Sequence, residues 1–205
     1  DMIEILNCFA LLNSINGKYK EGKIFIDRAI ALSEQFFGKK DHLQKARAYL
    51  SQGLYYKKFN QYDEAIKEIE IAREMYRNIL GKEHPQVTIS TNYLCTIFYE
   101  QGQYSKAKEG LLEALEINKK ILGEKHPSIG DSYRRIGCCH KEEGKYTEAF
   151  DYFQKSLKIF LDVFGSLHET LASAYSDIGT IYYRLDDQHQ ALKNYKKALE
   201  VSYRL

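Results

Sequence analysis

The stretch KFNQYDEAIKEIEIA at 58–72 returns as EQGQYSKAKEGLLEA at 100–114 and again as EEGKYTEAFDYFQKS at 142–156. Tyr62, Tyr104 and Tyr146 hold one slot in these segments, 42 residues apart. INGKYKEGKIFIDRA at 15–29 matches through Tyr19, 43 residues before Tyr62, and RLDDQHQALKNYKKA at 184–198 puts Gln188 in the slot, 42 after Tyr146. Three residues beyond each slot stands a small residue: Gly22, Ala65, Ala107, Ala149 and Ala191. Self-similarity at a fixed period marks a repeat architecture, in which each unit buries its apolar face on the next.

A second marker keeps the same frame. LGKEHP carries Gly81 and His84, LGEKHP carries Gly123 and His126, FGSLHE carries Gly165 and His168, and FGKKDHL carries Gly38 and His42. The histidines at 42, 84, 126 and 168 are evenly spaced by 42, while the first glycine step is 43, so one residue is inserted between Gly38 and His42. One histidine per repeat cannot converge with the others on a single ion, so these four are read as residues that seat the turn between units.

Within a unit the apolar period is helical. In the third, Leu94, Cys95 and Phe98 mark one face, and Ala107, Leu111, Ala114, Leu115, Ile121 and Leu122 another, with Gly102 between them. This predicts a helix of about 14 residues followed by one of about 18. Gly123 is placed at the C′ position of the longer helix, in the left-handed region, and Pro127 and Pro85 open the following first helices, where a missing N–H costs nothing. Ala65, Ala107, Ala149 and Ala191, facing Gly53, Gly137 and Gly179, are expected to let the two helices approach closely, with Tyr56, Phe98 and Tyr182 filling the space beyond.

Composition narrows the function. The 205 residues are 44% hydrophobic and 28% charged with a net charge of +2, so no dominant basic field favours nucleic acid. KKFNQY and NYKKALEVSYRL mix lysine with tyrosine, but 30 basic residues nearly balance 28 acidic ones and fall on exposed helix positions. No apolar run approaches membrane-spanning length, and the opening DMIEILNCFA is not a signal peptide. Cys8, Cys95, Cys138 and Cys139 form no C-x-x-C pair and are read as reduced thiols, with Cys8 and Cys95 buried as small hydrophobes. His140 beside Cys139 on a helix points elsewhere, so no nucleophile pair is expected; neither a catalytic residue nor a metal or cofactor is assigned.

Small residue, aromatic, Gly-x-Tyr-x-x-Ala, then Phe/Leu and Ala: over essentially the whole chain this resembles the tetratricopeptide repeat, and the long unit with LGKEHP and LGEKHP resembles the kinesin light chain subtype. The resemblance implies an all-α fold, a right-handed superhelix (α-solenoid) of about five helix-turn-helix repeats, at about 3–43, 46–85, 88–127, 130–169 and 172–205. These form a single array with first helices lining the concave face. In kinesin light chains, first-helix asparagines hold an extended peptide. NCFA at 7–10 and NYLC at 92–95 keep the first asparagine, whereas Leu50, Arg134 and Ser176 occupy it elsewhere; the second asparagine is replaced throughout, by Cys8, Ser51, Tyr93, Arg135 and Asp177.

The family's inner-face register then gives a candidate lining: Asn7; Arg47, Leu50, Leu54, Lys57 and Lys58; Asn92, Thr96, Tyr99 and Glu100; Asp131, Arg134, Cys138 and Lys141; Ser176, Thr180, Tyr183 and Arg184. Asparagine can both donate to and accept from a peptide backbone, Arg134 can fork onto a carboxylate, and Tyr99 and Tyr183 offer flat apolar area. The expected function is a non-catalytic protein-interaction scaffold or adaptor that holds an acidic or mixed linear peptide, or a partner protein, across the second to fifth repeats. The alternative is a structural subunit of a ciliary, axonemal or motor assembly, using the convex face or the array ends; tyrosines such as Tyr152 and Tyr203 are candidate anchors there. The expected partners are protein or peptide, not nucleic acid or membrane, and the expected location is cytoplasmic, with cytoskeletal or ciliary association. Asp1 is expected to lead almost directly into a first helix and Leu205 to fall in the second helix of the fifth repeat, so that further repeats or other chains cover both ends.

Overall fold

The computed structural model describes residues 2–204. Asp1 and Leu205, on which the expectation about the chain ends rests, lie outside the described residues. Among the described residues there are ten α-helices and no strand: α1 (Met2–Ile15), α2 (Tyr19–Phe37), α3 (Leu43–Lys58), α4 (Tyr62–Leu80), α5 (Pro85–Glu100), α6 (Tyr104–Leu122), α7 (Pro127–Glu142), α8 (Tyr146–Phe164), α9 (Glu169–Arg184) and α10 (Gln188–Arg204). First helices run 14 to 16 residues and second helices 17 to 19. Pro85 and Pro127 begin α5 and α7, as the sequence indicates. The chain divides into two compact units, residues 1–100 with α1 to α5 and residues 101–205 with α6 to α10.

The small-residue slots set the helix separation within a hairpin. Ala65 and Ala149 are buried, and a Cβ added to Gly53 would lie 2.5 Å from Ile69 Cγ1 and 3.1 Å from the Ala65 carbonyl oxygen. The same addition at Gly137 would lie 2.8 Å from the Phe153 ring and 3.3 Å from the Ala149 carbonyl. The large residues gather around these contacts. Tyr56 and Phe98 pack against Ala65, Ile69, Leu94 and Ile97 in the first unit, and Tyr182 against Phe153, Leu157 and Ile178 in the second.

Two kinds of positive-φ position punctuate the chain, and they differ chemically. The turn inside each hairpin has Gly17, Asn60, Gly102, Gly144 and Asp186 at φ between +58 and +75. At Gly144 the chain closes with Gly144 N–H donating to the Lys141 carbonyl (3.0 Å) and Lys145 N–H to the His140 carbonyl (2.9 Å), a Schellman ending. Asn60 and Asp186 repeat this pattern, since their short polar side chains tolerate the left-handed well. The endings of the second helices are different. Gly81 has φ 88, ψ 162 and Gly123 has φ 81, ψ 159: positive φ but extended ψ, not the left-handed helical conformation the sequence suggested for Gly123. Gly165, at φ 72 and ψ −157, lies in the same region. That region is essentially open only to glycine, which explains why these three endings carry Gly while the hairpin turns accept Asn and Asp.

The four spaced histidines are helix caps. The Nδ1 of His42, His84, His126 and His168 accepts from the backbone N–H two residues on, at 3.2, 3.2, 3.2 and 3.3 Å. The rings of His42 and His168 also stack on Phe37 and Phe164, with centroids 3.7 and 3.9 Å apart. Cys8 is exposed, contrary to its expected burial, because it falls outside the α1 face formed by Ile3, Leu6, Asn7 and Ala10; Cys95 and Cys139 are buried, and none of the four cysteines forms a disulfide.

Past the end of α7, the Glu143 carboxylate receives Lys108 Nζ at 2.7 Å, Lys145 Nζ at 2.8 Å and the Ser105 hydroxyl at 3.0 Å. The Lys108 hydrogen bond, then that from Lys145, hold its pKa down at about 2 instead of the ordinary 4.5. A depressed carboxyl pKa adds stability above the unfolded value, and that stability disappears as pH falls through the folded one. Denaturant midpoints should therefore drop between about pH 4.5 and about pH 2, and Glu143→Gln should remove part of that drop. His126→Ala, which deletes one cap, should cost about 1 kcal/mol in urea unfolding.

Candidate peptide-binding face

Each unit presents the solvent-facing rows of its first helices, and the expected binding residues are distributed among several roles. In the first unit, Asn7 is only 6% exposed, and its Nδ2 donates to the Gln44 carbonyl oxygen at 3.1 Å, so it joins α1 to α3. Arg47 is exposed, 3.8 Å from Glu4. Lys57 Nζ lies 2.7 Å from Glu100 Oε1, and Lys58 Nζ sits 5.1 Å above the Tyr19 ring. Asn92 and Tyr99 are half-buried on α5, where the Thr96 hydroxyl donates to the Asn92 carbonyl at 2.9 Å.

In the second unit, Arg134 Nε donates to Asp177 Oδ2 at 2.5 Å. Burial acts to lower the Arg134 pKa, but the Asp177 charge and hydrogen bond outweigh it and hold the guanidinium above its ordinary value. Burial pushes the Asp131 carboxyl up, against the pull of Arg134 and Arg135. Burial, then the nearby Asp177 charge, raise Cys138, which keeps it a thiol and a poor nucleophile. Lys141 Nζ is 3.2 Å from Glu142 Oε1. Ser176 joins Arg134, Ser173, Asp177 and Tyr195 around an open cleft of about 460 Å³, while Tyr183 stands clear at 62% exposed.

The pairing of carboxylates with these cations is the part least visible in the sequence, although Glu100 stands in the candidate lining and Asp177 in the second-asparagine slot. Glu4–Arg47, Lys57–Glu100 and Arg134–Asp177 each join residues 43 apart, on neighbouring first helices. Against the 42-residue period, Glu100 and Asp177 sit one position beyond the slot that matches their cation, and that offset was the available signal. Four of the predicted cations therefore have an internal carboxylate partner. Tyr152, expected as an exposed anchor, is half-buried and stacks on His140 with centroids 5.3 Å apart, whereas Tyr203 is exposed. Among the described residues, no group of three or more His, Cys, Asp or Glu could hold a metal ion, and no helix is long and apolar enough to cross a membrane.

Helix pairs at a 42-residue period, small residues at the crossing and charged first-helix rows define a helical-repeat protein. The sequence profile of the tetratricopeptide repeat matches residues 1–78, 87–162 and 139–204, and the chain belongs to that family. The fold is accordingly the all-α tetratricopeptide solenoid, a type that generally mediates protein–protein interaction. No curated protein matches the chain. Among solved structures it is similar to BtubC (BKLC) from P. vanneervenii, at 19% identity and a TM-score of 0.84, over 98% of this chain and 80% of that one. It is also similar to a putative kinesin light chain with nearly identical TPR-like repeats from Podosopora anserina, at 18% identity and a TM-score of 0.83, over 98% and 95%. A third likeness is to aspartyl phosphate phosphatase F from Bacillus subtilis, at 20% identity and a TM-score of 0.81, over 99% of this chain and 51% of that one. At these identities the likeness is one of fold.

Arg134 is 38% exposed and Asp177 16%, so their ion pair is partly screened by solvent. A double-mutant cycle with Arg134→Ala and Asp177→Ala should give a coupling of about 1 kcal/mol that shrinks as salt is added.

Proposed function

We propose that this chain is a non-catalytic, cytoplasmic protein-interaction scaffold, its repeats acting as one array, whose first-helix rows hold an extended peptide carrying both signs of charge. The observation that carries this reading is the recurrence of part-exposed ion pairs between neighbouring first helices, Arg134–Asp177 foremost. A guanidinium bound to Asp177 through Nε still has N–H groups for a peptide carboxylate, and Asp177 and Asp131 offer oxygens to a peptide cation. A purely acidic ligand would have to displace the resident carboxylates, whereas a mixed one exchanges pair for pair at little cost. Asn92, Ser176, Tyr99 and Tyr183 would supply backbone hydrogen bonds and flat contact area. Because the repeat stack is already folded, ordering falls mainly on the ligand.

Fluorescence anisotropy of the 205-residue chain against mixed-charge, acidic and neutral peptide libraries tests this. The expected result is selection of mixed-charge sequences, with Arg134→Glu weakening binding by about tenfold or more. The exchanged pair R134D/D177R should keep the fold and alter which charge order is selected. If the chain binds only folded partners and these substitutions leave binding unchanged, the structural-subunit reading replaces it.

A further inference from the structure

In the second unit α6 and α8 both pack on α7, and the groove between them is floored by Tyr133 and His140, which are seven residues apart and so share one face of α7. Two ammonium groups converge on that floor. Lys119 Nζ, from α6, stands 5.7 Å from the centre of the Tyr133 ring, and Lys155 Nζ, from α8, stands 5.8 Å from it. Lys155 Nζ also lies 5.0 Å from the centre of Tyr152. The Tyr152 ring is 6.0 Å from Tyr133 and stacks on His140 at 5.3 Å, which braces it. Tyr133 and Tyr152 are half-buried, so both rings keep open area. Leu112, 38% exposed, lies seven residues before Lys119 on the same face of α6.

The repeat register shows that this arrangement is particular to one junction. In the other repeats the Tyr133 slot holds Tyr49, Thr91 and Tyr175, the Lys119 slot holds Glu34, Arg77 and Leu161, and the Lys155 slot holds Ile71, Glu113 and Lys197. The Tyr49 hydroxyl already donates to Glu34 at 2.7 Å. Tyr175 has a single ammonium over it, Lys197 at 5.2 Å. Around Tyr133 there are two cations, and their compensation is incomplete. Lys119 Nζ meets Glu116 at 2.9 Å, a carboxylate itself 66% exposed. Hydrogen bonding to Glu116, then to Tyr133, outweighs burial and holds the Lys119 ammonium above its ordinary pKa. Lys155 is exposed and, among the described residues, meets rings and no carboxylate. A ring quadrupole attracts a cation but does not neutralise its charge.

We propose that this groove docks an acidic segment of a partner protein, with its carboxylates on Lys119 and Lys155 and its side-chain stems against Leu112, Tyr133 and Tyr152. Charge complementarity selects the occupant. Two cations over aromatic faces, one of them without a carboxylate, suit a ligand that brings negative charge and apolar contact together. A lone small anion would be held weakly. The cations sit on separate helices and are part-exposed, and each such contact contributes about 1 kcal/mol or less, so one chain must make several at once. The groove is separate from the first-helix rows, which carry both signs of charge, so this second surface has a different charge preference.

Fluorescence anisotropy of the 205-residue chain with a labelled oligoglutamate peptide carrying interspersed leucines tests the proposal. Lys119→Glu together with Lys155→Glu should weaken binding by about tenfold or more. Lys155→Glu alone, at an exposed side chain, should weaken it by about threefold or more. Lys125→Glu with Lys196→Glu makes the same change of net charge at exposed lysines outside the groove, and should leave binding within about twofold. Circular dichroism should show all three variants folded. Zero-length carbodiimide coupling, mapped by mass spectrometry, should join the peptide to Lys119 or Lys155. Inorganic phosphate at an equal concentration of charge should displace little of the peptide. Absence of binding, equal loss in the two double variants, coupling confined to lysines outside the groove, or full displacement by phosphate would each overturn the proposal.

Discussion

No hairpin in this protein can bury both of its faces by itself, and the rest of the structure depends on that constraint. Within a pair, Gly53 against Ala65 or Gly137 against Ala149 brings backbones so close that a single added carbon would strike a neighbouring side chain or carbonyl. Between pairs, the first helix lays a row such as Leu171, Ala174, Ile178 and Ile181 on the second helix before it. Stability is then a sum over neighbours and not the property of one centre.

The connections show how local chemistry holds that stacking in register. A histidine cap opens four of the first helices, its Nδ1 meeting a backbone N–H that the helix leaves without an acceptor. Glycine ends four second helices at positive φ. Hairpin turns are more permissive, and Asn60 and Asp186 replace glycine there. The period is thus written in positions whose reasons are conformational, while charged residues on the first-helix rows vary freely from repeat to repeat.

That freedom is where function can differ among proteins of one fold. Here the rows carry cations and carboxylates joined across neighbouring first helices, so the face offers balanced, part-solvated charge and not a uniformly basic groove. Such a face favours discrimination by charge order along a ligand over attraction by net charge.

The sequence by itself determined the helix pairs, their period, the prolines that open α5 and α7 and the small residues at the crossings, because each is imposed locally by periodicity, backbone conformation or lack of space. It also marked Arg47, Lys57 and Arg134 as residues of the first-helix rows. Only the tertiary structure decided that these cations meet Glu4, Glu100 and Asp177, that Asn7 turns inward to Gln44 and that Cys8 faces solvent. Those outcomes depend on which side chain reaches across to the neighbouring helix, a distance of a few ångströms that helical periodicity along one chain segment does not encode.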